Sequence, residues 1–149
     1  MPDLAIFLSS DEARPALPEA YEPARKSSWR TRLRVLVVDD ERLIAETVAA
    51  ILNANGFEAQ DAYNGEQALA AARSFQPDIV LSDVLMPKMS GVELGMRLRS
   101  EFPATRVFLF SGQAATSELI RRAEAAGYRF ELFPKPIHPE ELLAKLRGM

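Results

Sequence analysis

Three carboxylates follow two apolar runs of this chain. Asp39 and Asp40 come directly after a run that ends at Val38, and Asp83 comes directly after a run that ends at Ser82. Charged groups at the ends of buried strands are unfavourable unless a cation compensates them or their pKa values rise. Mg2+ takes oxygen ligands and commonly bridges one or two carboxylates to a phosphate. We therefore expect a divalent cation here, Mg2+ or alternatively Mn2+.

A hydroxyl and a cation follow two further apolar runs, as Ser111 and Lys135. A lysine can neutralise the oxygens of a transferred phosphoryl group, and a serine hydroxyl can donate a hydrogen bond to them. Asp83 would then attack the incoming phosphoryl group while the metal and Lys135 spread its charge. Taken alone, the Asp39-Asp40 pair could equally cap a helix, and the other two could be a turn residue and a solvated charge. Their joint placement at strand ends favours phosphoryl transfer.

The elements that must position these groups are repeated strand and helix units from residue 33 onward. Apolar, β-branched runs alternate there with amphipathic segments, which is typical of a parallel sheet between helices. The expected strands are residues 33–38, 57–62, 79–82, 106–110 and 129–133, and the expected helices are 41–53, 65–74, 90–101, 116–126 and 139–147. Five such units favour an α/β, flavodoxin-like, doubly wound parallel sheet of order 2-1-3-4-5. Ligands of such sheets bind at the carboxyl ends of strands 1 and 3, where the acids lie.

The first expected helix carries an apolar stripe that should pack on the sheet. Its members are spaced by three and four residues: Leu43, Ile44, Val48, Ile51 and Leu52. The Asn55-Gly56 pair that follows is typical of a left-handed helix end.

Composition excludes several function classes. The 149 residues include no cysteine and one histidine, which rules out disulfides, thiol catalysis and multi-histidine metal sites. The net charge is −3 and no basic cluster stands out, so direct DNA binding is not expected. No apolar run approaches the roughly 20 residues of a membrane span, and we expect a cytoplasmic protein without membrane insertion. Residues 1–32 hold four of the ten prolines and are expected to form a disordered tail before a domain at 33–149.

Four motifs in the expected domain share one order and spacing with a known family. They are Val37-Val38-Asp39-Asp40-Glu41, Asp83-Val84-Leu85-Met86-Pro87-Lys88-Met89-Ser90-Gly91, Phe110-Ser111-Gly112 and Phe133-Pro134-Lys135-Pro136. With them, residues 33–149 resemble the receiver domains of bacterial two-component response regulators. The resemblance implies that Asp83 is phosphorylated to 4-aspartylphosphate by a histidine kinase or a histidine phosphotransfer protein. It also implies a protein that catalyses its own phosphorylation and dephosphorylation but is primarily a signalling protein.

The resemblance assigns the remaining site residues as well. Asp39, Asp40 and Asp83 hold Mg2+, with the backbone carbonyl of Leu85 as a further ligand. Ser111 is the switch hydroxyl of the family. Lys135 is its lysine, and the peptide bond from this lysine to Pro136 is often cis.

Three positions depart from the family pattern. Leu132 stands where an aromatic switch residue is usual, which places the usual rotamer switch in doubt. Pro134 lacks a backbone donor, so the last strand is expected to end early. Leu85 and Gln113 occupy the positions that influence water attack on the acyl phosphate; leucine cannot orient a water, whereas glutamine can. We expect a modest hydrolysis rate.

Signal output is expected through surfaces, because the chain ends at Met149 without a following output domain. By analogy with the family, the face of helix 4, strand 5 and helix 5 contacts a downstream protein, while helix 1 meets the kinase. His138 begins the last helix in a Pro-Ile-His-Pro context and is expected to be a surface residue rather than a phosphorelay donor.

Three alternatives stay open. A degenerate receiver would only bind proteins and never be phosphorylated, although all five side chains of the site are present. A flavodoxin-like cofactor carrier needs a phosphate-cradling loop after strand 1, where this chain has the acids Asp39-Asp40-Glu41. An aspartyl phosphatase needs a general acid two residues after Asp83, where this chain has Leu85.

Overall fold

The structure is a computed structural model that describes residues 32–112 and 116–149, with the side chain of Thr116 left out. Nearly all of the expected tail and Gln113 therefore lie outside the described residues. Arg32–Met149 form one compact unit.

The described residues form a five-stranded parallel sheet. Its strands are β1 Arg34–Val38, β2 Glu58–Ala62, β3 Ile79–Asp83, β4 Arg106–Ser111 and β5 Glu131–Pro134. The order across the sheet is β2-β1-β3-β4-β5, with every pairing parallel. This confirms the predicted flavodoxin-like topology. The order reverses between β1 and β3, so the residues after these two strands lie side by side.

Five helices connect or follow the strands in the described part of the chain. They are α1 Arg42–Ala54, α2 Gly65–Phe75, α3 Gly91–Glu101, α4 Thr116–Ala125 and α5 Pro139–Arg147. Helix α1 is followed by Gly56 in a left-handed conformation with φ of +95°, as the Asn55-Gly56 pair predicted. Helix α3 begins at a capping box, in which Ser90 and Glu93 exchange hydrogen bonds of 3.0 and 3.1 Å. The box anchors the far end of the loop that follows Asp83.

Two apolar layers cover the two faces of the sheet. Leu36 and Val80 face the layer that contains α2, α3 and α4 residues, whereas Val35 and Leu81 face the layer that contains α1 and α5 residues. The central strands are therefore apolar on both faces, which explains their continuous runs of Val, Leu and Ile. Because both faces are filled, polar side chains can gather only at the ends of these strands.

The apolar stripe predicted for α1 is partly wrong. Val48 and Leu52 are buried, but Leu43 is 75% exposed and faces away from the core. The buried face of α1 includes the small residues Ala45 and Ala49 instead, which allow the helix to lie close to the sheet.

The last strand is displaced from its prediction by two residues at its start. The expected strand began at residue 129, but β5 begins at Glu131 and ends at Pro134. Phe130 instead packs into the space left by Gly95 of α3, where an added Cβ would lie 2.8 Å from the phenylalanine ring. The expectation that Pro134 makes this strand end early is wrong, because β5 includes Pro134. The proline is tolerated because β5 is an edge strand of the sheet that the described residues form.

Candidate functional site

Three carboxylates meet at the carboxyl ends of β1 and β3. Carboxylate oxygens of Asp39, Asp40 and Asp83 lie within 4.8 Å of one another. The register explains this proximity, because Val38 is paired with Ser82 and the acids are the residues that follow. The sequence prediction that these three residues converge is therefore matched by the geometry.

Asp39 is the buried member of this cluster, with 2% of its surface exposed. Burial raises its pKa from 3.8 to about 6, and the backbone N–H of Glu41, which donates to its Oδ1 at 2.9 Å, opposes the rise. The charge of Asp83 raises this pKa further, while that of Lys135 lowers it. A carboxylate in this setting is stabilised by added positive charge.

Lys135 supplies one such charge. Its Nζ lies 3.1 Å from Oδ1 of Asp83, and both side chains are mostly shielded from solvent, at 30% and 14% exposed. Gly112 makes the approach of this lysine possible, because a Cβ on Gly112 would lie only 2.8 Å from Cβ of Lys135. The amino-acid sequence did not indicate this role of Gly112, apart from the position of the glycine next to Ser111. The Lys135–Pro136 peptide bond is cis, as the family resemblance implied.

Ser111 ends β4 at the same edge of the sheet. Asp83 is paired with Phe110 across β3 and β4, so Ser111 lies one residue beyond the strand partner of Asp83. Its carbonyl accepts a hydrogen bond of 3.3 Å from the backbone N–H of Lys135, and its side chain is half-buried. This bond ties the ends of β4 and β5 together beside Asp83.

The loop after Asp83 is held tightly. The N–H of Gly91 donates to the carbonyl of Val84 at 2.7 Å, and a Cβ on Gly91 would collide with the carbonyl oxygen of Asp83. Lys88 adopts a left-handed conformation with φ of +69°. Leu85, the expected carbonyl ligand, has a side chain that is 41% exposed.

The donor set fits a hard divalent cation. Lys135 offers one positive charge against three carboxylates, and all ligand atoms in the cluster are oxygens. Mg2+ and Mn2+ prefer such ligands, and a cation would also offset the unfavourable burial of Asp39. The arrangement can therefore hold a metal ion beside a nucleophilic carboxylate and a lysine.

Comparison with known proteins agrees with this geometry. The family model described as the response regulator receiver domain matches residues 35–147. The chain belongs to this family. As a receiver domain it is 39% identical over 115 residues to the probable transcriptional regulatory protein TcrX of Mycobacterium tuberculosis, covering 77% of this chain and 48% of the relative. It is 34% identical over 117 residues to the response regulator MprA of Mycolicibacterium vanbaalenii, covering 78% and 50%.

Solved structures indicate the same family and fold. The receiver domain resembles the chemotaxis response regulator CheY4 of Vibrio cholerae with a TM-score of 0.68 and 31% identity, over 79% of this chain and 98% of that one. The predicted family and fold are thereby confirmed. The chain spans about half the length of the curated relatives TcrX and MprA. Within the described residues, the receiver domain has no helix long and apolar enough to cross a membrane.

The aromatic residues around Leu132 divide between the two faces of the sheet. Phe133 stacks on Phe108, with ring centroids 5.4 Å apart, in the layer that contains α1 and α5 residues. Phe130 packs in the opposite layer beneath the guanidinium of Arg99, 4.9 Å from its ring centroid. Leu132 itself is 45% exposed.

His138 is exposed at the N-cap of α5, as predicted.

Proposed function

We propose that Asp83 accepts a phosphoryl group from a histidine kinase or a histidine phosphotransfer protein and becomes 4-aspartylphosphate in a Mg2+-dependent reaction. The observation that carries this proposal is the contact of 3.1 Å between Lys135 Nζ and Asp83, next to the carboxylates of Asp39 and Asp40. Membership of the receiver family supports it.

The residues of the site have separate roles in this reaction. A carboxylate oxygen of Asp83 forms a bond to phosphorus, and the bond from phosphorus to the nitrogen of the donor's phosphohistidine breaks; because the other ring nitrogen of that histidine carries a proton, a neutral imidazole is left on the donor. The ammonium of Lys135 neutralises charge on the phosphoryl oxygens, and the hydroxyl of Ser111 donates a hydrogen bond to one of them. The main contribution of the protein to this reaction is therefore the orientation of charged and polar groups around the phosphoryl group.

The metal would be held by Asp39, Asp40 and Asp83, with the backbone carbonyl of Leu85. When bound, Mg2+ supplies charge stabilisation at the phosphoryl oxygens. Asp39 contributes a buried oxygen whose orientation is set by the backbone N–H of Glu41 at 2.9 Å. An oxygen held in this orientation would favour one coordination geometry of the metal over others.

The phosphorylated state is ended by hydrolysis, in which water attacks the acyl phosphate and releases inorganic phosphate from Asp83. We infer a modest rate for this step. The side chain of Leu85 is exposed beside the site but has no atom that could orient a water. Gln113, the other residue predicted to act here, lies outside the described residues.

Two surfaces would carry the protein contacts. An apolar groove of about 440 Å³ runs between α1 and the segment after β5, beside Lys135, and would meet the helices of a phosphodonor protein. Its apolar lining includes Leu43, Ile44, Ile51, Ile137 and Pro139. The face of α4, β5 and α5, on which Leu132 is exposed, would contact a downstream protein. We assign residues 33–149 to the receiver domain, apart from the segment 1–32, and propose that it acts in the cytoplasm.

A small phosphodonor tests the proposal without a kinase. The protein is incubated with acetyl phosphate, with and without Mg2+, and its intact mass is measured for the wild type and for Asp83→Asn. We expect a metal-dependent phosphoryl adduct on the wild type that is absent from the variant. A wild-type protein that forms no adduct would instead support the degenerate receiver, a pure protein-binding module.

A further inference from the structure

Ser82 is a buried polar residue directly before the proposed phosphoacceptor. Only 1% of its surface is exposed, and it lies between Val38 of β1 and Leu109 of β4. A buried hydroxyl is unfavourable without a hydrogen-bond partner. Here the Oγ of Ser82 donates to the main-chain carbonyl of Asp83 at 2.9 Å. The partner of this hydroxyl is therefore the backbone of the acceptor itself.

The same carbonyl is confined from another direction by α3. An added Cβ on Gly91 would collide with the Asp83 carbonyl oxygen, so the first residue of α3 lies directly against it. The Gly91 N–H also donates to the carbonyl of Val84 at 2.7 Å. The peptide that follows Asp83 is thus held by a hydroxyl and by a close backbone approach. The carbonyl and the side chain of Asp83 are both attached through its α-carbon, so a shift of the backbone at this carbonyl would also move the carboxylate.

We propose that Ser82 is a positioning residue for phosphoryl transfer: its hydroxyl fixes the peptide of Asp83 so that the carboxylate meets both Lys135 and the metal ligands. This inference rests on the proposed function of Asp83. Nothing in it requires Ser82 to touch the phosphoryl group. Correct orientation of a nucleophile is worth large rate factors, and a misplacement of about 1 Å can cost on the order of a hundredfold.

The test compares two substitutions of equal shape. Ser82→Thr keeps the hydroxyl, whereas Ser82→Val has the same branched outline without it. The rate of adduct formation is measured over a range of acetyl phosphate concentrations in Mg2+, and Mg2+ binding is measured by calorimetry. We expect Ser82→Val to lower the maximal rate by roughly tenfold to a hundredfold relative to Ser82→Thr. We also expect its Mg2+ affinity to be weaker, since Asp83 is one of the ligands.

A second buried hydroxyl provides the matched control. Thr105, 8% exposed, donates to the carbonyl of Pro77 at 2.9 Å, at the opposite end of the sheet from the acidic cluster. Thr105→Val should lower the urea midpoint as Ser82→Val does, but leave the rate of adduct formation unchanged. Ser82→Ala, which removes the hydroxyl without adding volume, serves if the valine variant does not fold, and should show the same loss of rate.

The outcomes separate the two levels of the proposal. Equal maximal rates and Mg2+ affinities for Ser82→Thr and Ser82→Val, with a normal wild-type adduct, would overturn the positioning role alone. An equal loss of rate in Thr105→Val would also overturn it, because the effect would then reflect lower stability. No adduct on the wild type would overturn the function of Asp83 and this inference with it.

Discussion

Replacing Asp39 with asparagine should stabilise the metal-free protein at neutral and alkaline pH. The carboxylate is 2% exposed, and burial raises its pKa from 3.8 to about 6. Asparagine keeps the side-chain oxygen that accepts the N–H of Glu41 at 2.9 Å but carries no charge. The substitution therefore removes the unfavourable burial of a charge and retains the hydrogen bond.

The magnitude follows from the pKa change. A tenfold change in acidity corresponds to about 1.4 kcal/mol, so a rise from 3.8 to about 6 corresponds to about 3 kcal/mol. Between these two values the folded protein binds more protons than the unfolded chain, and the free energy of unfolding must fall as pH rises. The wild type therefore has its full free energy of unfolding at pH values below the unfolded pKa, and the decrease is complete at pH values above the folded pKa. The advantage of Asp39→Asn should thus be about 3 kcal/mol at pH 8 and under about 1 kcal/mol at pH 4.

Urea denaturation in EDTA at several pH values measures this advantage. The control is Asp40→Asn, which removes the same charge from an exposed neighbour. It should change the free energy of unfolding by less than about 0.5 kcal/mol. Added Mg2+ should close the gap between the wild type and Asp39→Asn, because it stabilises the protein that binds it more tightly. A gap of the same size at pH 4 and pH 8, or a less stable asparagine variant at pH 8, would contradict the reasoning.

Three further predictions concern the loops around the site. Gly112→Ala should slow adduct formation with acetyl phosphate, because the new Cβ would lie 2.8 Å from Cβ of Lys135 and displace the lysine; an unchanged rate would show that the lysine can adjust. Lys88→Gly should raise the free energy of unfolding by about 1 kcal/mol in urea denaturation, because φ of +69° is strained for lysine. Leu85→Asn should change the lifetime of the phosphorylated protein, followed by intact mass after removal of the donor; an identical decay curve would refute its role in water attack.

The end of β1 and the end of β3 could be predicted from sequence for a simple physical reason. Their apolar runs are continuous because both faces of a central parallel strand are buried, and the first charged residue after such a run indicates where the strand reaches the edge of the sheet. Strand order then brings Asp39 and Asp83 together. The local pattern and the general topology were sufficient, and no contact between distant side chains had to be known.

The start of β5 and the exposed position of Leu43 could not be predicted in this way. Phe130 has the residue type of a strand, but it fills the space above Gly95, and the sequence does not show that these two positions meet. In α1, the face toward the sheet is decided by how closely Ala45 and Ala49 can approach it. Both errors arose where tertiary packing, rather than periodicity, selects the buried residue.

Asp39 and Ser82 show how stability and proposed function diverge at neighbouring strand ends. Asp39 is buried without full compensation, so the metal-free fold is weakened by the same charge that would attract a cation. Ser82 is buried with its hydrogen bond to the Asp83 carbonyl satisfied, so its removal should harm both the fold and the rate. Substitutions at these positions should therefore move the free energy of unfolding in opposite directions while both weaken Mg2+ binding. A shared loss of stability would mean that burial of Asp39 is already compensated without a metal.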